Sequence, residues 1–133
     1  MRIVALSVAS VLFGSQFASA DDLPPNSTWK NQRGSVLTVS TVDANKKTFS
    51  GNFVNNATGS DPNCMGGNGF PVDGILRDDG SLVFTVVFTP CETITVWHGK
   101  LASGVLSAPW VLAYPIASGV LVNQGGEDTF TKQ

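Results

Sequence analysis

Eight short runs in which apolar and polar residues alternate with a period of two, divided by tight-turn residues, restrict this chain to an all-β fold. The runs fall at residues 28–31, 35–42, 47–55, 72–76, 81–89, 93–101, 105–114 and 127–132, and helical periodicity is scarcely sustained anywhere. Val, Thr, Phe and Trp dominate them, as a pleated surface buried on one face requires. Asp43-Ala44-Asn45, Asp78-Asp79-Gly80 and Ser103-Gly104 supply the turns. Eight strands in simple hairpin succession predict an eight-stranded antiparallel up-and-down β-barrel, which closes on itself and leaves no exposed edge.

The first twenty residues stand outside this pattern. Arg2 is a short positive region, 3–13 is an apolar run broken by Ser7 and Ser10, and Ala18-Ser19-Ala20 has the form of a signal-peptidase site. A membrane span needs about 20 apolar residues, so the run is too short to anchor the chain. Residues 1–20 are therefore expected to be a cleaved secretory signal, and 21–133 a single domain that is secreted or periplasmic, with no membrane partner afterwards. In an oxidising compartment an even cysteine pair is by default a disulfide, so Cys64 and Cys91 are expected to bond. A reactive dithiol lacks the Cys-x-x-Cys spacing that would support it. Cys64 lies in the one long connection, residues 56–71, rich in Gly, Asn and Asp. Pinned to the Pro90-Cys91 turn, this segment reads as a lid whose ordering cost is partly met before a ligand arrives.

Composition removes several function classes. Charged residues are 14% and hydrophobic ones 42% of the 133 residues, the reverse of a disordered chain. Eight basic and ten acidic residues, net −2 with no basic run, leave no footprint for nucleic acid. One His and two Cys cannot build the usual four-ligand Cys/His zinc site, and Asp78-Asp79-Gly80 lacks the spaced ligands of a calcium loop, so no metal is expected. His98 alternates with Trp97 and so faces outward, leaving no nucleophile–base–orienter set and no catalytic residue. Asn26-Ser27-Thr28 and Asn56-Ala57-Thr58 are glycosylation sequons, meaningful only in a eukaryotic secretory host.

Trp29-Lys30-Asn31-Gln32-Arg33-Gly34-Ser35 resembles the first hairpin of avidin and streptavidin. Ser50-Gly51-Asn52-Phe53, the segment Thr93-Ile94-Thr95-Val96-Trp97-His98-Gly99, Trp110-Val111-Leu112-Ala113-Tyr114 and Asp128-Thr129-Phe130 follow in that family's order and spacing. The cysteine pair and Leu112-Ala113-Tyr114 look most like the dimeric, rhizavidin-type bacterial avidins. The resemblance implies non-covalent, high-affinity binding of biotin, with no further cofactor. It implies that Asn31 and Ser35 donate to the ureido carbonyl, and that Asp128 and Asn55 accept from the two ureido N–H groups. Thr95 should face the thioether sulfur. Thr93 and the backbone of Ala57 to Gly59 should hold the valerate carboxylate. Phe53, Phe88, Trp97, Trp110, Leu112 and Tyr114 complete the implied site. Phe53 stands where the family usually has Tyr, Phe88 replaces a usual Trp, and no Trp follows Trp110 to serve a neighbouring subunit.

Strand parity agrees independently. If Asn31 and Ser35 point inward, so do Leu37, Val39, Phe53, Phe84, Val86, Phe88, Thr93, Thr95, Trp97, Trp110, Leu112 and Tyr114. The enclosed set is aromatic with a few hydroxyls and amides, and Asp128 is expected to lie among them without a basic neighbour. Trp29 and Phe84 read as ordinary core, Trp29 plugging the closed end. The outward faces Ile94, Val96, His98 and Val111, Ala113 are too apolar for a solvated surface and predict a homodimer. Two rival readings are the same barrel retuned to another small amphipathic ligand, and an exported barrel-type protease inhibitor acting through its loops.

Overall fold

Alternating burial carries the architecture. The computed structural model describes residues 22–115 and 121–133, so the signal reading of residues 1–20 lies outside the described residues. The strands are β1 (Ser27–Asn31), β2 (Val36–Asp43), β3 (Thr48–Val54), β4 (Phe70–Leu76), β5 (Ser81–Phe88), β6 (Thr93–Ala102), β7 (Val105–Pro115) and β8 (Leu121–Lys132). Each pairs antiparallel with its neighbours in chain order, and β8 pairs with β1 to close the barrel. Along β5, Leu82, Phe84, Val86 and Phe88 are buried while Val83 and Val87 are exposed, as a period-two strand on a one-sided core demands.

Two boundaries differ from the alternation pattern. β8 begins at Leu121, six residues before the expected start, because Asn123-Gln124-Gly125-Gly126 has the composition of a turn yet pairs residue for residue with β7. Gly126 is there for a packing reason: a Cβ on it would lie 2.5 Å from Cζ2 of Trp110, so only glycine lets the indole rest against the strand. β4 starts at Phe70 rather than Val72, since Phe70 and Pro71 pair with Phe53 and Asn52, and the long connection shortens to residues 55–69.

The two ends of the barrel are built differently. The 43–48, 77–80 and 103–104 turns close one end over Leu23, Trp29, Leu37, Phe49, Leu82, Leu101 and Leu106, all nearly inaccessible. Trp29 Nε1 donates to Ser27 Oγ at 2.9 Å, and that hydroxyl donates to the Pro24 carbonyl at 2.5 Å, so the buried indole leaves no polar atom unpaired. Phe49 lies over Gly74, its cross-strand partner, where a Cβ would meet the ring at 2.2 Å. In the turn above, the Ser81 hydroxyl and N–H hold the Asp79 carboxyl below its ordinary value. Trp29 pairs with Lys132, and Gln133 N–H donates to Thr28 O, so β1 begins and β8 finishes at this closed end. Among the described residues the opposite end stays open.

Candidate functional site

At the open end the inward residues stop filling the interior and enclose a cavity of about 330 Å³. Asn31 comes from the end of β1 and Ser35 from just before β2. Phe53 is on β3, with Asn55 immediately past it, and Ala57 and Gly59 come from the following loop. Phe88 ends β5, Thr93, Thr95 and Trp97 alternate along β6, Trp110 and Leu112 along β7, and Asp128 stands on β8. Every residue named as a site candidate from sequence lines this one cavity except Tyr114. That residue sits two positions beyond Leu112, paired with Val122 and half-buried. Arg33, Ser60, Asp61 and Gln124 line it as well, unanticipated, together with Thr58 of the expected lid and the cysteine pair expected to pin it.

The apolar wall is a chain of aromatic contacts. Trp97 stacks on Phe84 at a centroid distance of 4.8 Å and 6° between planes, so the buried Phe84 backs the wall from the core side. Phe53 meets Trp97 at 4.8 Å and Phe88 at 6.2 Å edge-on, and Phe70 meets Phe88 at 4.9 Å. Such tilted and edge-to-face pairs hold rings in fixed positions beyond what area burial alone achieves. Trp110 Nε1 is buried and has no hydrogen-bond partner among the described residues.

The polar groups are pre-set by the turns that carry them. Asn31 Oδ1 accepts from the backbone N–H of Arg33 at 3.0 Å and of Ser35 at 2.9 Å, which fixes the amide and turns its NH2 donor away from the hairpin. Ser35 Oγ accepts from Asn56 N at 2.9 Å and donates to Asn55 Oδ1 over a long 3.4 Å. Asn55 Oδ1 also accepts from Ala57 N at 3.1 Å. The loop beyond is tied down by Gly66 N–H to Asn55 O, by Asp61 capping the short 3-10 turn Pro62–Cys64, and by the Cys64–Cys91 disulfide, which joins it to the turn Thr89–Cys91.

Asp128 is only 3% exposed, but it does not lack a basic neighbour. Arg33 Nε donates to Oδ1 at 3.0 Å, Gln32 Nε2 reaches the same oxygen at 3.3 Å, and Trp97 Nε1 donates to Oδ2 at 2.9 Å. The expectation that no basic group adjoins it is corrected here: a buried charge requires such partners, and the β1–β2 turn supplies Arg33 and Gln32 while β6 supplies Trp97. The pair follows from strand register rather than from local sequence. Continuing the β1–β8 register of Asn31 opposite Phe130 by two residues sets Arg33 opposite Asp128. His98 is exposed on the outer face of β6, as parity predicted.

Comparison with known proteins agrees with this fold. The Avidin family model matches residues 19–133. Hoefavidin, from Hoeflea phototrophica (strain DSM 17068 / NCIMB 14078 / DFL-43), is 29% identical over 144 residues, covering 96% of this chain and 86% of the relative. Among solved structures, the bradavidin2–biotin complex is 34% identical with a TM-score of 0.73, covering 84% of this chain and 99% of that one. A variant of shwanavidin in complex with biotin is 26% identical with a TM-score of 0.73, covering 86% and 100%.

Proposed function

This chain belongs to the avidin family, and from that premise we propose that it binds biotin non-covalently in the open end of its barrel and performs no chemistry on it. The observation that carries the reading is the enclosed Asp128 carboxylate, held by three donors at the edge of an aromatic cavity, with the Asn31 amide fixed by its own hairpin. Apolar walls with a few convergent polar groups suit a compact, neutral, polar-headed ring.

Biotin's ureido group offers one carbonyl acceptor between two N–H donors. In this reading the Asn31 NH2 and the Ser35 hydroxyl donate to the carbonyl oxygen, the hydroxyl giving up its long contact with Asn55. Asp128 accepts from one N–H and Asn55 Oδ1 from the other. Thr95 faces the thioether, Phe53, Phe88, Trp97, Trp110 and Leu112 pack the rings and chain, and Thr93 with the Ala57 to Gly59 backbone takes the valerate carboxylate. Tyr114 lies farther out along β7 and would touch the tail alone.

Titration calorimetry with biotin tests the proposal. One site per chain is expected, with binding weakened at least thirtyfold in Asp128→Asn, the scale of about 2 kcal/mol for losing a hydrogen bond to a charged acceptor. Absence of binding by the folded wild type, or an unchanged Asp128→Asn, would refute it.

The same reading makes the protein an exported dimer. Ile94 and Val111, 46% and 43% exposed on the outer faces of β6 and β7, would lie across a two-fold axis. N-terminal sequencing starting at Asp21 and a dimer in sedimentation velocity are the expected outcomes. An intact leader, or a monomer alone, counts against it.

A further inference from the structure

Arg33 lies in the four-residue connection between β1 and β2, its side chain 42% exposed, where a solvated cation is the ordinary expectation. Instead it lines the cavity and makes two directed contacts. Nε is 3.0 Å from Asp128 Oδ1, and the guanidinium carbon is 5.8 Å from the centroid of the Trp110 ring. We propose that Arg33 is a positioning residue of the ligand site, holding Asp128 in the one orientation that leaves it a single acceptor direction toward the cavity.

The count of lone pairs supports this. A carboxylate has about four acceptor sites in its plane. Gln32 Nε2, Arg33 Nε and Trp97 Nε1 occupy three, fixing the plane from both oxygens, and one is left for an incoming N–H. Gln32 is the weaker holder, at 3.3 Å with its Nε2 shared with the Glu127 carbonyl. Trp97 holds the other oxygen only. Removing Arg33 therefore frees Oδ1 to turn about the Trp97 bond.

Two effects of the guanidinium oppose each other. It draws charge from the carboxylate and so weakens it as an acceptor, but it also compensates a charge that a ligand would seal further from water. The second wins, because a ligand filling the cavity removes the water that could otherwise replace Arg33 at Oδ1. A partner lost from a buried charge costs more than a weakened hydrogen bond gains. Arg33 thus matters more in the bound state than in the empty one, which is what makes it a determinant of affinity rather than of folding.

The ligand arm of this proposal rests on the biotin reading, and the experiment keeps the two separable. In the empty protein, the Trp97 indole N–H resonance reports its bond to Asp128 directly. Arg33→Leu is expected to shift or broaden that resonance while the unfolding midpoint changes little, and Arg33→Lys to restore it in part, since an ammonium keeps the charge without the planar fork. With biotin, Arg33→Leu should release roughly tenfold faster. In an Asp128→Asn background the same substitution should have little further effect. An unmoved Trp97 resonance in Arg33→Leu overturns the proposal whether or not biotin binds. A full Arg33→Leu effect on release that persists in Asp128→Asn overturns it too, assigning Arg33 a direct ligand contact instead. Failure of the wild type to bind biotin, with the resonance shifted as expected, sinks the biotin reading and leaves the positioning role supported.

Discussion

The closed and open ends of this barrel are made by the same strands, with the same inward parity, and yet they do opposite things. At the closed end large side chains meet: Trp29, Leu37, Phe49 and Phe84 fill the interior, and the polar atoms present are paired within a few residues of one another. At the open end the inward positions shrink or turn polar, as Asn31, Ser35, Asn55, Thr93 and Thr95, and the aromatic rings line a space without filling it. Parity alone cannot separate the two. What separates them is volume and the distance over which polar groups find partners, Gln32, Arg33 and Trp97 reaching across 31 to 96 positions of chain to hold Asp128.

Substitutions at the two ends should therefore separate stability from binding, and the largest effect belongs to the closed end. Trp29→Ala is expected to cost about 3–5 kcal/mol of stability, the range for deleting a fully buried large aromatic. Biotin affinity of the remaining folded fraction should stay nearly constant. Denaturant unfolding with and without biotin measures both, and a selective loss of affinity at unchanged stability would erase the distinction between the ends.

Reduction of Cys64–Cys91 sharpens the comparison from the other side. The chain-entropy model gives about 3–4 kcal/mol for a loop of this size, a stability effect from a bond that lines the cavity. The local signature should be faster biotin release, because residues 57–61 lose their tether while the strands keep their pairing. Amide exchange should quicken in that loop before it quickens in β5 or β6. Uniform quickening would mean that the bond serves the whole barrel alike.

The smallest expected effect is a gain. Phe53→Tyr adds a hydroxyl to a ring that lines the cavity beside Trp97, aimed in this reading at the ureido oxygen. One added neutral hydrogen bond contributes about 0.5–1.5 kcal/mol, or up to about 2 with a polarised acceptor, hence roughly three- to thirtyfold slower release. The hydroxyl is buried in the empty protein, so stability without biotin should stay level or fall. Unchanged or faster release would show that the ring does not face the ureido oxygen.

Strand number, order and inward parity were legible in the sequence because a closed antiparallel barrel imposes one rule, alternation, on every strand. The cavity residues from Asn31 to Asp128 followed from that rule and from resemblance together. What escaped was set by contacts between distant strands. Alternation predicts the last strand only from residue 127, because the reason for Gly126, the Trp110 indole, stands on another strand. Arg33 is not singled out by the sequence because its partner is 95 positions away and adjoins it only once β8 closes onto β1. Tyr114 shares the parity of Leu112, but parity says which face a residue takes and not how far along the barrel the cavity reaches.

The pairing of Trp29 with Lys132 carries a practical consequence. Both ends of the domain leave from the sealed pole, diametrically away from the mouth. A surface, a reporter or another polypeptide joined at either end would hang behind the molecule and leave the mouth facing outward. Attachment at one end is then as good as attachment at the other, and the two together form a bridle that fixes the axis of the barrel without crossing the path a ligand takes.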